Sequence, residues 1–371
     1  MTLRDWLICD SLPLWATYGV DREFGGYFEK LTSNLKPSSD PRRARLVARQ
    51  IYFFAVGSSL GWEGPQDDLL VHGYTYLMDH FVSKEGRVCA TCTKNGQIID
   101  DRQHLYDVAF VLIALAKLSS ISNRFADAED VARAIESRLR KEYLNPKGGY
   151  FDVTTPGIQC ANPHMHLFEA YLAWAELKGL DHGFWFERAT HFAELALNRM
   201  ILPNSGALPE FYDANWKPLF INEKLDIEPG HQFEWSWLLA RWSYLADSSE
   251  AWDASMRLCY LAEQYGVDST RNTVIQCINQ FLEPSDLTSR LWQQTERLKA
   301  WHVHSNAIGT SDAAMKLSKA YQGLGQFISF PRSGLWFDTM NSRGEFLDED
   351  IKASSGYHLA CAIEAISPLA R

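Results

Sequence analysis

The segment Glu228-Pro229-Gly230-His231-Gln232-Phe233-Glu234-Trp235 concentrates groups that can move protons. Pro229 has no amide hydrogen to lose and suits the first turn of a helix, which the apolar run through Trp237, Leu238 and Leu239 continues. On such a helix His231, Glu234 and Trp235 share one face. A histidine with a carboxylate in reach and an aromatic wall beside it suits general acid–base catalysis. In that reading Glu234 fixes the imidazole tautomer and steadies its charged form, while Trp235 offers a flat apolar surface. The same residues also suit a core histidine satisfied by a glutamate. The rest of the chain has to decide.

A wider pattern favours chemistry. Arg49, Tyr106, His166, His231, Glu296 and His358 recur at intervals of 57, 60, 65, 65 and 62 residues. Positions at one phase of a closed repeat lie at one level around its axis, so these side chains are expected in one central pocket. Arg49 needs a partner if buried, either a protein carboxylate or sugar oxygens. Tyr106 is either a pocket residue or a core residue with a satisfied hydroxyl. In His164-Met165-His166 the two rings point apart on a helix, so at most one faces the pocket. Asn162 shares the face of His166 and is either a site residue or the cap ahead of Pro163. Trp292 and Glu296 share a face, which suits either substrate contact in the pocket, the role expected of both, or a charged helix with one packed tryptophan. His358 follows Ser354-Ser355-Gly356-Tyr357 and falls in a first turn, where the positive helix end favours neutral imidazole, the base form. Trp301-His302-Val303-His304 falls at a helix end and reads as surface.

The elements that must position these residues follow a repeat. Phe24-Gly25-Gly26-Tyr27-Phe28-Glu29 returns as Gly148-Gly149-Tyr150-Phe151-Asp152, and in blurred form as Ser205-Gly206-Ala207-Leu208-Pro209-Glu210-Phe211 and Ser333-Gly334-Leu335-Trp336-Phe337-Asp338. The phenylalanines are spaced 123, 60 and 126 residues apart, near multiples of about 62. The two missing beats are expected near residues 90 and 275, where short β-prone runs stand. Between beats the pattern is helical. One set covers 43–58, 106–118, 163–177, 229–246, 287–302 and 354–366; the other covers 3–18, 69–81, 126–143, 183–200, 250–265 and 311–322. Helices of the first set are largely apolar all round, as an inner ring requires. The expected fold is all-α: a single (α/α)6 barrel over residues 1–371, with short β-like hairpins joining the pairs.

Composition narrows the function. The 371 residues carry a net charge of −10 and no basic block of the kind that tracks phosphates along a nucleic acid. No apolar run approaches a membrane span, and the first residues lack a signal-peptide layout. Seven cysteines without framework spacing fit a reducing cytoplasm, and the lone Cys89-Ala90-Thr91-Cys92 reads as structural. Asp101 and Asp107 have no second metal-type spacing, so neither metal nor cofactor is expected. Aromatic residues are 13% of the chain, ample for a large core and for stacking on sugar rings. The expected partner is a small monosaccharide, with the protein a monomer or weak homodimer.

Taken together, Ala48-Arg49-Gln50, Leu105-Tyr106-Asp107-Val108-Ala109-Phe110, Asn162-Pro163-His164-Met165-His166, the segment at 228–235, Leu291-Trp292-Gln293-Gln294-Thr295-Glu296 and Tyr357-His358 resemble the N-acylglucosamine 2-epimerase family, in the family's order. That family includes mannose isomerases, sulfoquinovose isomerases and cellobiose 2-epimerases. The resemblance implies an (α/α)6 barrel and metal-free proton transfer beside the anomeric carbon. It implies catalytic histidines at His231 and His358, with substrate contacts from Arg49, Tyr106, Asn162, His166, Glu234 and Trp292; Trp336 aligns with a pocket aromatic of relatives. Epimerase members tend to place an arginine three residues after the last histidine. Cys361 stands there, which resembles the mannose isomerase branch. The expected reaction is therefore interconversion of D-mannose and D-fructose through a cis-enediol, with His358 as the carbon base, His231 as the second acid–base group and Arg49 stabilising charge on oxygen; the two histidines are interchangeable at this level. The alternatives are a sugar 2-epimerase, a glycoside hydrolase using Glu234 and Glu296, and a non-catalytic sugar-binding protein.

Overall fold

The computed structural model describes residues 2–177 and 182–367, so the ends of the expected 1–371 unit and residues 178–181 lie outside the described residues. The chain opens with α1 (Leu3–Trp6) and α2 (Leu12–Tyr18), joined by a π-helical turn at Leu7–Ser11. Then follow α3 (Ala44–Leu60), α4 (Gln66–His80), α5 (Leu105–Ile121), α6 (Ala128–Tyr143) and α7 (Ala161–Ala175). The last six are α8 (His182–Leu195), α9 (Pro229–Ala246), α10 (Ser249–Tyr265), α11 (Leu291–Ile308), α12 (Ser311–Phe327) and α13 (Ser355–Ile366).

Contacts among them close a ring. Helix α3 packs on α5, α5 on α7, α7 on α9, α9 on α11, α11 on α13, and α13 back on α3. Outside, α4, α6, α8, α10 and α12 each pack on the inner helix that precedes them. The fold is an (α/α)6 barrel. Its two layers follow from residue pattern. On α5 every residue from Asp107 to Ala116 is buried, as an inner helix requires. On the outer α6 burial is confined to a stripe including Ala132, Ile135, Glu136 and Leu139.

The repeat is visible in the loops. Antiparallel bridges Val20–Tyr27, Val82–Val88 and Leu144–Tyr150 recur in steps of about 62 residues, and Thr273–Val274 pairs with Val267–Asp268 at the later missing beat. Short ladders stitch neighbouring units, pairing Arg42–Arg43 with Thr91–Cys92, Gln159–Cys160 with Phe211–Tyr212, and Ser289–Arg290 with Thr339–Met340. Lys30–Leu31 pairs with Ile351–Lys352 and so joins the first unit to the last. Several of these strands run straight into an inner helix, which gathers the ladders at the N-terminal end of the ring.

Three readings need correction. Residues 287–290 do not open α11, because Pro284–Asp286 and Ser289–Arg290 are strands; the helix runs on to Ile308. Trp301 and His304 are therefore buried in its middle rather than at the surface, with His304 Nε2 between Ser236 Oγ at 2.9 Å and Ser255 Oγ at 3.1 Å. Trp336 stacks on Trp15 at 5.1 Å and meets the edge of Trp6, wedging the last loop against the opening helix. Its role is packing, and it does not line the central cavity. Among the described residues, no helix is long and apolar enough to cross a membrane.

Candidate active site

A cavity of about 270 Å³ opens at the N-terminal ends of the inner helices. Arg49, Tyr106, Asn162, His166, His231, Glu234, Trp292 and His358 all line it, each from the first two turns of its helix. Glu228, Arg290, Lys352 and Ser354 just ahead of the helices, Ser355 at the start of α13, and Gln276 from the loop between the strands Thr273–Val274 and Cys277–Ile278 complete the lining. The helices point their positive dipole ends at the cavity, which favours negative charge there.

His231 is held by a carboxylate other than the expected one. Its Nδ1–H donates to Glu210 Oε2 at 2.9 Å, and Glu228 Oε2 is 3.8 Å away. Burial opposes the charge on this ring, but Glu210 and Glu228 outweigh burial and push its pKa up to about 10. His231 is thus an imidazolium at neutral pH, with Nε2–H left for the cavity. Its aromatic wall is Trp292, centred 4.8 Å away, and not Trp235, which stacks on Phe168 in the core.

His358 is the opposite case. Its Nδ1–H donates to Glu296 Oε1 at 3.1 Å. Burial, with the nearby Arg49, His166 and Lys299, drives its pKa well below the ordinary value. It is neutral, and its Nε2 lone pair is available as a base. Glu296 is fully buried beneath the cavity and takes no part in the lining. It belongs to the support of His358 rather than to substrate contact. Its other oxygen meets Lys299 Nζ at 2.6 Å, and Lys299 also lies 3.8 Å over the Trp237 ring and 3.6 Å from Cys361 Sγ. Cys361 is one turn below His358 and faces away from the cavity; burial pushes its thiol up to about 12.

At the floor, His166 Nδ1–H donates to Glu169 Oε2 at 3.0 Å, and burial keeps the ring neutral. Burial pushes the Glu169 carboxyl up, but His166, Lys299 and Tyr357 hold it down at about 2. Tyr357 donates to its second oxygen at 2.7 Å. Glu234 lies 3.6 Å from His166 Nδ1, and among the described residues neither of its buried oxygens has a hydrogen-bond partner. Burial, then Glu296 and Glu169, raises it well above the usual carboxylate range, so it is a neutral acid facing the cavity. Arg49 lies flat on Phe110 at 3.9 Å and donates to the Tyr106 hydroxyl at 2.6 Å. Among the described residues no carboxylate pairs with it. Asn162 Oδ1 is likewise buried without a partner and does not cap its helix.

Two trios carry metal-ligand types: His166, Glu169 and Glu234, and Glu210, Glu228 and His231. Linear spacing did not reveal them because Glu210 and Glu234 come from other elements. In each the Nδ1 already donates to a carboxylate at 2.9 or 3.0 Å. A cation would have to displace that proton, and in the second trio a proton held with a pKa of about 10.

Glu210 was the main residue missed, although a signal existed. Glu29, Asp152, Glu210, Gln276 and Asp338 each stand two residues after the hydrophobic residue of the repeated hairpin. In three units this acid accepts a backbone N–H near the start of an inner helix: Glu29 from Arg43, Glu210 from Glu228 and Asp338 from Lys352. Glu169 and Lys299 gave no such signal; only packing brings them under the histidines.

The sequence pattern of the N-acylglucosamine 2-epimerase (GlcNAc 2-epimerase) family matches residues 26–362. A mannose-6-phosphate isomerase of Rhizobium meliloti (strain 1021) is 34% identical over 366 residues, covering 97% of this chain and 95% of the relative. Among solved structures, a D-mannose isomerase superposes with a TM-score of 0.88 at 20% identity, covering 98% of this chain and 96% of its own. The cellobiose 2-epimerase of Bacillus thermoamylovorans B4167 does so with a TM-score of 0.87 at 18% identity, covering 98% and 97%. At these identities the two structures speak for the fold.

Proposed function

The chain belongs to the N-acylglucosamine 2-epimerase family, a family of sugar isomerases and epimerases, and from that premise we propose that it interconverts D-mannose and D-fructose, or closely related aldose–ketose pairs, by proton transfer through a cis-enediol. The observation that carries this reading is a pair of histidines in opposite charge states flanking Trp292 in one cavity. Neutral His358 takes the proton from C2 of the open-chain aldose. As the C1–C2 enediol forms, the His231 imidazolium gives its Nε2 proton to O1. Arg49, with the Tyr106 hydroxyl it holds, stabilises charge on O2. The now neutral His231 takes the O2 proton, and His358 returns its own proton to C1. Protons balance, and both rings end as they began. Glu210 and Glu296 position and tune the two rings; Glu234 offers a neutral hydrogen-bond donor at the floor. The name of the relative with 34% identity extends the substrate class to the 6-phosphate. Free cysteines at all seven positions fit a reducing compartment such as the cytoplasm.

A second reading has one observation in its favour. His166 is also neutral, and its ring is centred 6.5 Å from that of His358. Returning the proton to C2 from that side would make the protein a 2-epimerase. A hydrolase built on Glu234 and Glu296 has lost its basis, because Glu296 lies beneath the cavity, bound to Lys299. The test is an NMR time course from D-mannose. Fructose as the first and main product supports the isomerase, glucose first selects the epimerase, and no turnover at high enzyme concentration rejects both.

A further inference from the structure

We propose that Gly230 is a positioning residue of this site: its missing side chain is the seat that holds the Trp292 indole between His231 and His358, and so sets the width of the cavity at the reacting carbons. The kinetic part of this rests on the isomerase reading, while the seat itself is a matter of geometry. Gly230 lies in the first turn of α9 and its φ is not positive, so alanine would be the better helix former there. What the position requires is space. A Cβ on residue 230 would stand 2.7 Å from Trp292 Cη2, 2.8 Å from Trp292 Cζ3 and 2.7 Å from Gln293 Cγ, where ordinary contact begins at 3.4 Å.

The surroundings of the glycine decide which group gives way. The first turn of α9 is fixed from two sides. Gln232 Oε1 accepts the Leu208 N–H at 2.8 Å, and Gln232 Nε2 donates to the Leu208 carbonyl at 2.8 Å. On another side the Pro229 ring is pressed on Gly266 at the end of α10, so closely that a side chain on Gly266 would overlap it. Gln293 is fixed as well. It is fully buried, its Oε1 accepts the Arg290 N–H at 2.9 Å, and its Nε2 donates to the Ile275 carbonyl at 3.3 Å. Trp292 differs from both, because it is only half-buried and lines the cavity. A methyl group on residue 230 therefore drives the indole from 2.7 Å to an ordinary contact distance, and the open side is the cavity.

That indole is the wall shared by the two histidines. Its ring is centred 4.8 Å from that of His231 and 5.9 Å from that of His358. A π-system this close also favours the charged form of His231. Pushed inward, the indole takes room from C1 and C2 and shifts against both rings. A misplacement of roughly 1 Å at a reacting centre can cost about 10²-fold in rate. The smaller shift forced by one methyl group is expected to cost about tenfold or more, in kcat as well as KM.

The experiment is a double-mutant cycle of Gly230→Ala and Trp292→Phe, assayed with D-mannose and checked by melting curves. Phenylalanine lacks the two indole atoms that the methyl group would meet. Gly230→Ala should cost at least about tenfold in kcat/KM in the native background, with kcat falling, and less than about threefold in the Trp292→Phe background. Equal costs in the two backgrounds, or native kinetics in Gly230→Ala, overturn the proposal and leave the isomerase standing. If Gly230→Ala does not fold, the double variant decides: folding with the turnover of Trp292→Phe supports the seat, and failure to fold overturns it. The ring-proton NMR shifts of His231 and His358, read in protein with labelled histidine, follow the indole whether or not mannose is turned over. They should move in Gly230→Ala while those of the buried His304 stay in place. Turnover of no sugar by the native protein rejects the isomerase reading alone, whereas unmoved shifts at both His231 and His358 reject the seat.

Discussion

Glu210→Gln separates charge from geometry at His231. The amide still accepts the Nδ1–H donated at 2.9 Å in the native protein, so the ring keeps its tautomer and place. What disappears is the largest favourable influence on the imidazolium. In the native site Glu210 and Glu228 overcome burial and push the pKa to about 10, so His231 stays charged across the neutral range. Without Glu210, burial is opposed chiefly by Glu228, and the pKa falls to the ordinary 6.5 or below. At pH 7.5 about a tenth of the rings, or fewer, then carry the proton that O1 needs. We expect kcat/KM at pH 7.5 to drop at least about tenfold, with activity recovering as the pH is lowered toward 6. The basic limb should move from near pH 10 to near or below 6.5. Stability has the matching sign. A folded pKa raised above the unfolded one makes the contribution of this pair complete below about pH 6.5 and lost as pH rises through about 10, so the variant and native melting temperatures should converge at high pH. The assay is a pH–rate profile of both forms at saturating and limiting substrate. Superposed basic limbs up to pH 9 would refute the claim that His231 acts as a cation held by Glu210.

Other perturbations have equally definite outcomes. His358→Ala and His231→Ala should stay folded and each lose about 10²–10⁴-fold in kcat, the usual worth of a positioned proton-transfer group; more than a tenth of native kcat in either removes that residue from the mechanism. Lys299→Met leaves Glu296 buried without its 2.6 Å counter-ion, so His358 should become easier to protonate and the acid limb of kcat should move upward, with KM changing less; an unmoved limb would reduce Lys299 to packing. Exhaustive dialysis against EDTA should leave activity intact, because a metal in either histidine–carboxylate trio must displace a held proton; loss restored by Mn²⁺, Co²⁺ or Zn²⁺ would overturn the mechanism.

The ring was legible in the sequence because its cause is local. Each inner helix starts after a hairpin at a fixed phase, so the period of about 62 residues carries Arg49, Tyr106, His166, His231 and His358 to one level. Helix α11 was harder to read, since an inner helix is expected to be apolar. Gln293, Gln294, Thr295, Glu296, Arg297 and Lys299 are all buried on it. Each finds a partner from another element or turn, as Arg297 does in Glu263 at 2.9 and 2.6 Å. Such pairing leaves no trace in hydrophobic periodicity, so the charge on Glu296 read as substrate contact when it is support for His358. Glu234 was misassigned for the same reason. Its spacing on α9 puts it on the face of His231, but the two side chains sit at different depths and a loop carboxylate reaches the ring first. Trp336 followed the repeat phase, yet its hairpin is the one covered by the opening helix, and Trp15 claims its face.

In the proposed reaction one shielded base, His358, both removes and returns the carbon-bound proton. Mannose deuterated at C2, or its 6-phosphate, tests it most directly, with the ketose read by ²H and ¹H NMR at low conversion. Fructose should be the first product, with a measurable part of the label at C1. Glucose formed first, or fructose whose C1 has only solvent hydrogen while the unreacted substrate keeps its label, would contradict it.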